Sequence, residues 1–446
     1  MFAYYGRLAL RSLASTPGLT ALMVLAIGLG IGVCVTILTV YHGVSSNPLW
    51  WKNDRVYSVT MDDWDPEGPA YPERPQLPPP QMTYMDATYL AASDVPLRKV
   101  IMYPVNGVVS GGADGGRAFK TRTRITTGDF FEMFDVPFQY GGGWTAQADA
   151  GAQNVIVLSR ALNARLFGGA SGVGQTIRWN DREFRVIGVL GEWHPLPRFY
   201  DMNTGPFDDP EDAYIPWGWG RVLAQLTSGT LRCWNTAEAT DTFEQVAASS
   251  CAWIQMWVEL PDARARERMQ TVLDAYWSQQ HAAGRFQRPR NNRLTNVEQW
   301  LRDQEIVQDD NRMLVRLAFA FLVVCLINTA GLLLAKFLKG APASGIRRAL
   351  GASRAQIFIQ HIVEAGILAA GGCIVGLLLS AAGLWGLRAL YANSTETGSG
   401  YAGFSHVDSA TLVWALVLTI VTAFLAGSYP AWRIGRVPPT VYLKSQ

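Results

Sequence analysis

Few residues in this chain are arranged for covalent chemistry. The five histidines (His42, His194, His281, His361 and His406) are scattered. A zinc protease needs two of them one helical turn apart, and no His-Glu-x-x-His occurs. No Gly-x-Ser-x-Gly elbow presents a nucleophilic serine. A loop that cradles nucleotide phosphates needs G-x-x-x-x-G-K-[ST], and the chain has no Gly-Lys pair. The five cysteines have no zinc-binding pair of C-x-x-C. No catalytic, cofactor-binding or metal residue is therefore expected. Two other sets remain. One is the basic stretch Gly345 to Gln360, with Arg347, Arg348, Leu350 and Gly351 at its centre. The other is the pair Cys233 and Cys251.

The elements that hold these sets are legible from charge. Residues 46–310 contain 25 Lys and Arg against 33 Asp and Glu; the rest of the chain has 13 against 3. An acidic domain facing outward on a membrane unit with a basic inner face fits this asymmetry. Nucleic acid is excluded as a partner, because it would require the basic patch on the soluble part. The pattern predicts an α-helical membrane protein with four spans and a large α+β domain between spans one and two. The expected order is a cytoplasmic segment 1–17, a first span 18–41 and an external domain 45–308. A second span 317–338, a cytoplasmic segment 339–361 and a third span 362–389 follow. A short external loop 390–409, a fourth span 410–431 and a cytoplasmic tail 432–446 complete it. The first span has 24 uncharged residues, about 36 Å as a helix, enough to cross a hydrocarbon core of about 30 Å. Its apolar run is longer than a signal peptide's. Between Lys336 and His361 lie Lys336, Lys339, Arg347, Arg348 and Arg354 and no acid, as on cytoplasmic loops. Arg433, Arg436 and Lys444 place the tail on the same side. Gly28 with Gly32, and Gly372 with Gly376, are small-residue faces on which helices approach closely. Glu364 is an acid inside a span, costly there, with a functional role or a capping and inter-helix role open to it.

Within the external domain, Val56 to Thr60 alternates like a strand, and the proline-rich Trp64 to Pro80 is expected to be an extended loop. Asn154 to Leu158 is a buried strand. Ser159 caps a helix from Arg160 to Phe167 that stops at Gly168-Gly169. Thr176 to Trp179 and Phe184 to Val189 flank Asn180-Asp181 as a hairpin. Residues 217–253 are an insertion. Ala263 to Gln280 is a helix with Leu273 and Tyr276 on one face. Asn296 to Arg312 is expected to be a helix running into the second span. Cys233 and Cys251 are the only cysteines in the domain placed outside, where thiols stay oxidised, so a disulfide is expected. Closing a loop of that size restrains the unfolded chain by about 3 kcal/mol. The alternative is two buried free thiols.

Three motifs in order carry a resemblance. Gly345-Ile-Arg-Arg-Ala-Leu-Gly-Ala-Ser-Arg354 resembles the signature that follows the second span of FtsX-like permeases. Asn328-Thr-Ala-Gly-Leu-Leu-Leu-Ala-Lys336 resembles that family's second span, and Gly427-Ser-Tyr-Pro-Ala-Trp-Arg433 with Pro438 its C-terminal end. Val155 to Leu190, continuing through Ala213 to Pro216, resembles the periplasmic core domain of MacB-type permeases. The chain is thus similar to type VII ABC permeases. The resemblance implies a permease subunit without a fused ATPase, since 17 residues precede the first span. ATP and Mg would be bound by a separate ATPase dimer, with Arg347, Arg348, Leu350 and Gly351 coupling to it. The family usually has Glu-Ile before Gly-Ile-Arg; here Ala343 and Ser344 stand there, which points to a second, paralogous permease that retains the contact. The resemblance further implies the bacterial inner membrane, both termini cytoplasmic and the large domain periplasmic. It implies export of peptide or drug-like substrates with a periplasmic adaptor and an outer-membrane channel. Lipoprotein extraction, or signalling and hydrolase control without transport, is the alternative.

Overall fold

The computed structural model describes residues 2–110, 118–305, 309–392 and 409–435. Two compact units result, one from residues 1–45 with 307–446 and one from residues 46–306. The chain opens with two helices, α1 (Phe2–Ala14) and α2 (Pro17–Ser45). The first is basic and amphipathic, a helix within the segment read only as short and charged.

The second unit is built on a ten-stranded sheet. Its strands are β1 (Val56–Thr60), β2 (Arg98–Ser110), β3 (Phe119–Thr126), β4 (Phe138–Gly141), β5 (Val155–Leu158), β6 (Thr176–Trp179), β7 (Arg182–Leu190), β8 (Ala213–Pro216), β9 (Gln255–Glu259) and β10 (Arg293–Asn296). The spatial order is β10-β1-β9-β2-β3-β8-β5-β7-β4, with β6 bridging β2 and β7. Most pairs are antiparallel; β3 with β8 and β5 with β7 are parallel. Both faces are covered. Successive side chains of a strand point to opposite faces. Ile156 and Leu158 accordingly enter one hydrophobic cluster and Val155 and Val157 another. Val258 and Trp257 divide the same way, as do Tyr57 and Val56. Burial on both sides is why Val155–Leu158 reads as an unbroken apolar run.

Eight helices accompany the sheet: α3 (Tyr84–Leu90), α4 (Asp129–Met133), α5 (Ala146–Ala150), α6 (Arg160–Phe167), α7 (Trp219–Leu223), α8 (Phe243–Ala248), α9 (Ala263–Ala282) and α10 (Val297–Asp303). α3, α6, α8 and α9 contribute to the first cluster, α4, α5 and α10 to the second. Local chemistry sets their ends. The Ser159 hydroxyl accepts from the Leu162 amide, and Gly168 closes α6 at φ +63°. Asp262 caps α9, which buries Ala265, Met269, Leu273 and Tyr276 along one face. Asn180 and Asp181 both have positive φ and join β6 to β7 in a two-residue turn, for which Asn and Asp are suited. Between Trp217 and Trp253, Arg232 and Ala252 form an isolated bridge, and Cys233 and Cys251 are joined by a disulfide.

Two expectations differ from what is observed. The proline-rich segment is not extended throughout. It makes consecutive turns, with the Arg74 amide donating to Tyr71 and the Leu77 amide to Arg74. Residues 77–83 are buried, and the Arg74 side chain donates to the Asp303 carbonyl. Proline excludes helix and central strand, but it is equally at home in turns. Nor does one helix run from Asn296 to Arg312. α10 stops at Asp303, Gln304 caps it and Glu305 has φ +50°, outside helical space. Asn296 is the N-cap, its side chain accepting from the Gln299 amide.

The chain returns to the first unit through α11 (Asp309–Lys339), α12 (Ala341–Ala349), α13 (Arg354–Ala392) and α14 (Ser409–Gly435). Four helices in this unit are long and apolar enough to span a membrane: Pro17–Gly43, Met313–Lys339, Arg354–Gly386 and Val413–Arg433. The chain is thus a multi-pass membrane protein with a large extracytoplasmic α+β domain between its first two spans. Helices α2 and α13 meet on their glycines. A Cβ on Gly28 would sit 2.8 Å from Val375, and one on Gly32 would sit 3.0 Å from the Gly376 carbonyl. A Cβ on Gly376 would sit 3.0 Å from the Gly28 carbonyl, so the two glycine faces lie against each other. Most of the loop placed at 390–409, and the tail beyond Gly435 with Arg436, Pro438 and Lys444, lie outside the described residues.

Candidate functional site

The basic stretch folds as a short helix between two spans. Gly340 precedes α12, and Pro342 sits in its first turn, where a missing N–H costs nothing. Leu350 caps it, and Gly351 turns the chain at φ +103°, a conformation that favours glycine. The next helix starts with a reciprocal capping box. The Ser353 hydroxyl accepts from the Gln356 amide at 3.2 Å, and the Gln356 side chain accepts from the Ser353 amide at 2.8 Å. The joint between α12 and α13 is thereby fixed by a glycine and a cap.

The expected coupling residues do not all point alike. Arg347 donates to the Gln360 side chain at 2.7 Å, so it clamps α12 onto α13 and is half-buried. Leu350 is 82% exposed and Ile346 56% exposed. Residues four apart share a helix face, so these two form an apolar patch displayed away from the unit. Arg348 is half-buried and has an interaction of its own. Gly351 carries the turn between α12 and α13.

Beside the clamp lies a charge pair. Lys336, near the end of α11, donates to Glu364 of α13 at 2.5 Å. The Ser12 hydroxyl of α1 donates to the same Glu364 oxygen at 2.8 Å. Both charged side chains are buried, and one carboxylate ties three helices together. A carboxylate in a span is tolerated when a cation and hydrogen-bond donors meet it. Sequence reading noted Glu364 and its inter-helix option. It did not find its partners, because Ser12 lies 352 positions away.

The soluble unit holds a second buried cluster, which sequence reading missed. Arg124 of β3 donates to Asp201 and Glu211, both at 2.5 Å. Arg198 donates to Glu211 at 3.2 Å, and the Tyr200 hydroxyl donates to its other oxygen at 3.0 Å. Burial pushes the Glu211 carboxyl up, but the two guanidinium groups outweigh it and bring the pKa down to about 2. β3 lies inside the sheet, between β2 and β8, and Arg124 is covered by groups of the 191–212 segment. Trp144 donates to Asp149 at 2.7 Å, and burial raises that carboxyl to about 6. Among the described residues no cluster of His, Cys, Asp and Glu is placed to hold a metal.

Comparisons with known proteins cover both units. Residues 20–276 match the MacB-like periplasmic core domain, and residues 316–439 match the FtsX-like permease C-terminal domain. The pyoverdine export ATP-binding/permease protein PvdT of Pseudomonas aeruginosa is 23% identical over 428 residues, 96% of this chain and 56% of that protein. The macrolide export ATP-binding/permease protein MacB of Bdellovibrio bacteriovorus is 23% identical over 303 residues, 65% of this chain and 38% of that one. The chain thus spans about half the length, or less, of these curated relatives. Among solved structures, the periplasmic region of MacB from Actinobacillus actinomycetemcomitans aligns with a TM-score of 0.34 and 13% identity, covering 59% of this chain and 94% of that one. With one domain matched on each side of Met313 and in the family's order, the chain belongs to the MacB/FtsX-like family of ABC transporter permeases.

Proposed function

We propose that the chain is the non-catalytic permease of an ABC exporter, relaying ATP hydrolysis by a partner ATPase dimer to its extracytoplasmic domain. The observation that carries this is α12. It is a short helix pinned to α13 by Arg347, ended by a turn at Gly351, and displaying Ile346 and Leu350 outward. An exposed apolar pair on a rigid mount suits a protein contact. No phosphate-binding loop is present in this sequence, so the nucleotide would be held elsewhere. A second permease is proposed to complete the complex, since Ala343 and Ser344 replace the acidic contact. The cargo is proposed to be a peptide or drug-like molecule, passed to an adaptor and an outer-membrane channel; the names of two matched relatives, a pyoverdine export and a macrolide export protein, support that class. The setting is a bacterial inner membrane with both termini cytoplasmic.

Export is tested in cells that carry or lack the chain, loaded with a panel of fluorescent peptides and drugs. Substrate-dependent efflux that needs the chain is expected. Identical retention across the panel would favour force transmission without transport. The placement of the large domain is tested separately by blocking thiols at lysis and mapping peptides without reductant. Cys233 and Cys251 should be recovered joined; recovery as two blocked thiols would argue for a reducing compartment.

A further inference from the structure

The first unit contains a cavity of about 840 Å³ among the ends of α1, α11, α12 and α13. Its lining is cationic. Arg11, Lys336, Lys339 and Arg347 face it, against Glu364 as the one carboxylate among the described residues. Glu364 is already occupied by Lys336 and Ser12. Among the described residues, Arg11, Lys339 and Arg347 have no counter-charge, and Arg347 donates to the neutral Gln360. Both Arg11 and Lys339 are exposed.

A second observation points to an absent ligand. His361 also lines the cavity and is only 6% exposed, yet neither ring nitrogen has a hydrogen-bond partner among the described residues. Its Nδ1 is 3.8 Å from Glu364, too far for a hydrogen bond. The ring instead lies against Phe337, with centroids 4.0 Å apart. The Thr16 hydroxyl, also on the lining, is buried and has no hydrogen-bond partner among the described residues. Buried polar groups are rarely left in this state. The wall also contains Leu8 and Leu19, so one molecule can meet cations and an apolar surface together.

We propose that this cavity seats the phosphate headgroup of an anionic phospholipid from the surrounding leaflet. Arg11 and Lys339 supply the charge, His361 and Thr16 the buried hydrogen bonds, and the acyl chains leave past Leu8 and Leu19. Arg347 places the coupling helix in the same contact, so the lipid ties α12 to the N-terminal helix. The site requires only that the long helices span a membrane, and it stands whichever ATPase or cargo the complex uses.

The full chain, purified and stripped of lipid, is tested by native mass spectrometry with phosphatidylglycerol and with phosphatidylcholine. Phosphatidylglycerol should remain bound and phosphatidylcholine should not. The double variant R11Q/K339Q should lose retention by on the order of tenfold, since each cation near an anionic surface contributes appreciably. R433Q, a basic residue on α14 outside the cavity, should bind as the unaltered chain does. If the double variant does not fold, H361F carries the test, because it keeps the ring packing on Phe337 and removes the hydrogen bonds; it should bind several-fold less. Equal retention by these variants, or equal binding of phosphatidylcholine, would overturn the proposal. Release of the lipid by millimolar inorganic phosphate would reassign the cavity to a soluble anion and overturn it too.

Discussion

Arg124 in the soluble unit and Lys336 in the helix unit are both buried cations facing buried carboxylates, yet their surroundings differ. Arg124 meets two carboxylates, Asp201 and Glu211, and Glu211 is shared with Arg198 and Tyr200. Its guanidinium also lies 5.0 Å from the Tyr200 ring. Every member comes from the sheet or from the segment that covers it and is buried, while Arg124 Nε and Nη1 have no partner among the described residues and Glu211 borders a smaller pocket of about 400 Å³. Lys336 meets one carboxylate, which also serves a hydroxyl from a third helix, and a cavity opens beside the pair. A buried network in which two cations and a hydroxyl share the carboxylates favours one arrangement. A pair bordering a cavity can change partners at lower cost. We read the first as a structural rivet and the second as part of the moving end.

The largest expected effect breaks the buried network of the soluble unit. Arg124→Met leaves buried Asp201 without its cation and Glu211 with Arg198 alone, and should destabilise the soluble unit by about 3–5 kcal/mol. Thermal unfolding followed by tryptophan fluorescence measures it. Glu364→Gln removes one partner of the open pair and should cost about 1.5–3 kcal/mol, the range for a hydrogen bond to a charged group. If E364Q proved as damaging as R124M, the distinction between rivet and moving end would fall.

A smaller effect comes from pH, and it sharpens the account of the soluble unit. Glu211 has its pKa lowered to about 2, so its contribution is complete above the unfolded value and is lost as pH falls from about 4.5 toward 2. Asp149 runs the other way. Its pKa is raised to about 6, so the folded state holds the proton more tightly. Its contribution is complete below about 4 and is lost as pH rises toward 6. Asp149→Asn should flatten the loss between pH 4 and 6 and leave the acid limb in place. An unchanged slope between pH 4 and 6 would contradict the burial argument.

Much of this was legible in the sequence, and the reasons are local. The β6–β7 hairpin follows from Asn180-Asp181, the α6 cap from Ser159 and its stop from Gly168. The long helices follow from uncharged runs. What escaped depended on distance. Arg124 sits in an alternating polar strand, and nothing near it announces that residues 201 and 211 will bury it. The partners of Glu364 come from α1 and α11, and no spacing rule links them. The local geometry of the basic stretch was partly legible. Its residues were named, but Arg347 proved to be a clamp within the chain, while Ile346, which was passed over, shares the exposed face with Leu350. The apolar side chains of a short helix in a basic stretch were the missed signal. The break after α10 was missed because Gln304 and Glu305 carry no glycine or proline to mark it.

The central claim is that α12 relays a partner's ATP hydrolysis into the membrane unit. Its most direct test measures ATP turnover and export by the purified chain alone, by the chain with its co-purifying ABC ATPase, and by the same complex carrying R347A/G351A. The chain alone should hydrolyse nothing, and the complex should couple turnover to export. The double variant, which loses the clamp to Gln360 and the glycine turn at φ +103°, should assemble at normal levels and turn over ATP without exporting. Normal export by that variant, or hydrolysis that scales with the chain's own concentration, would contradict the account.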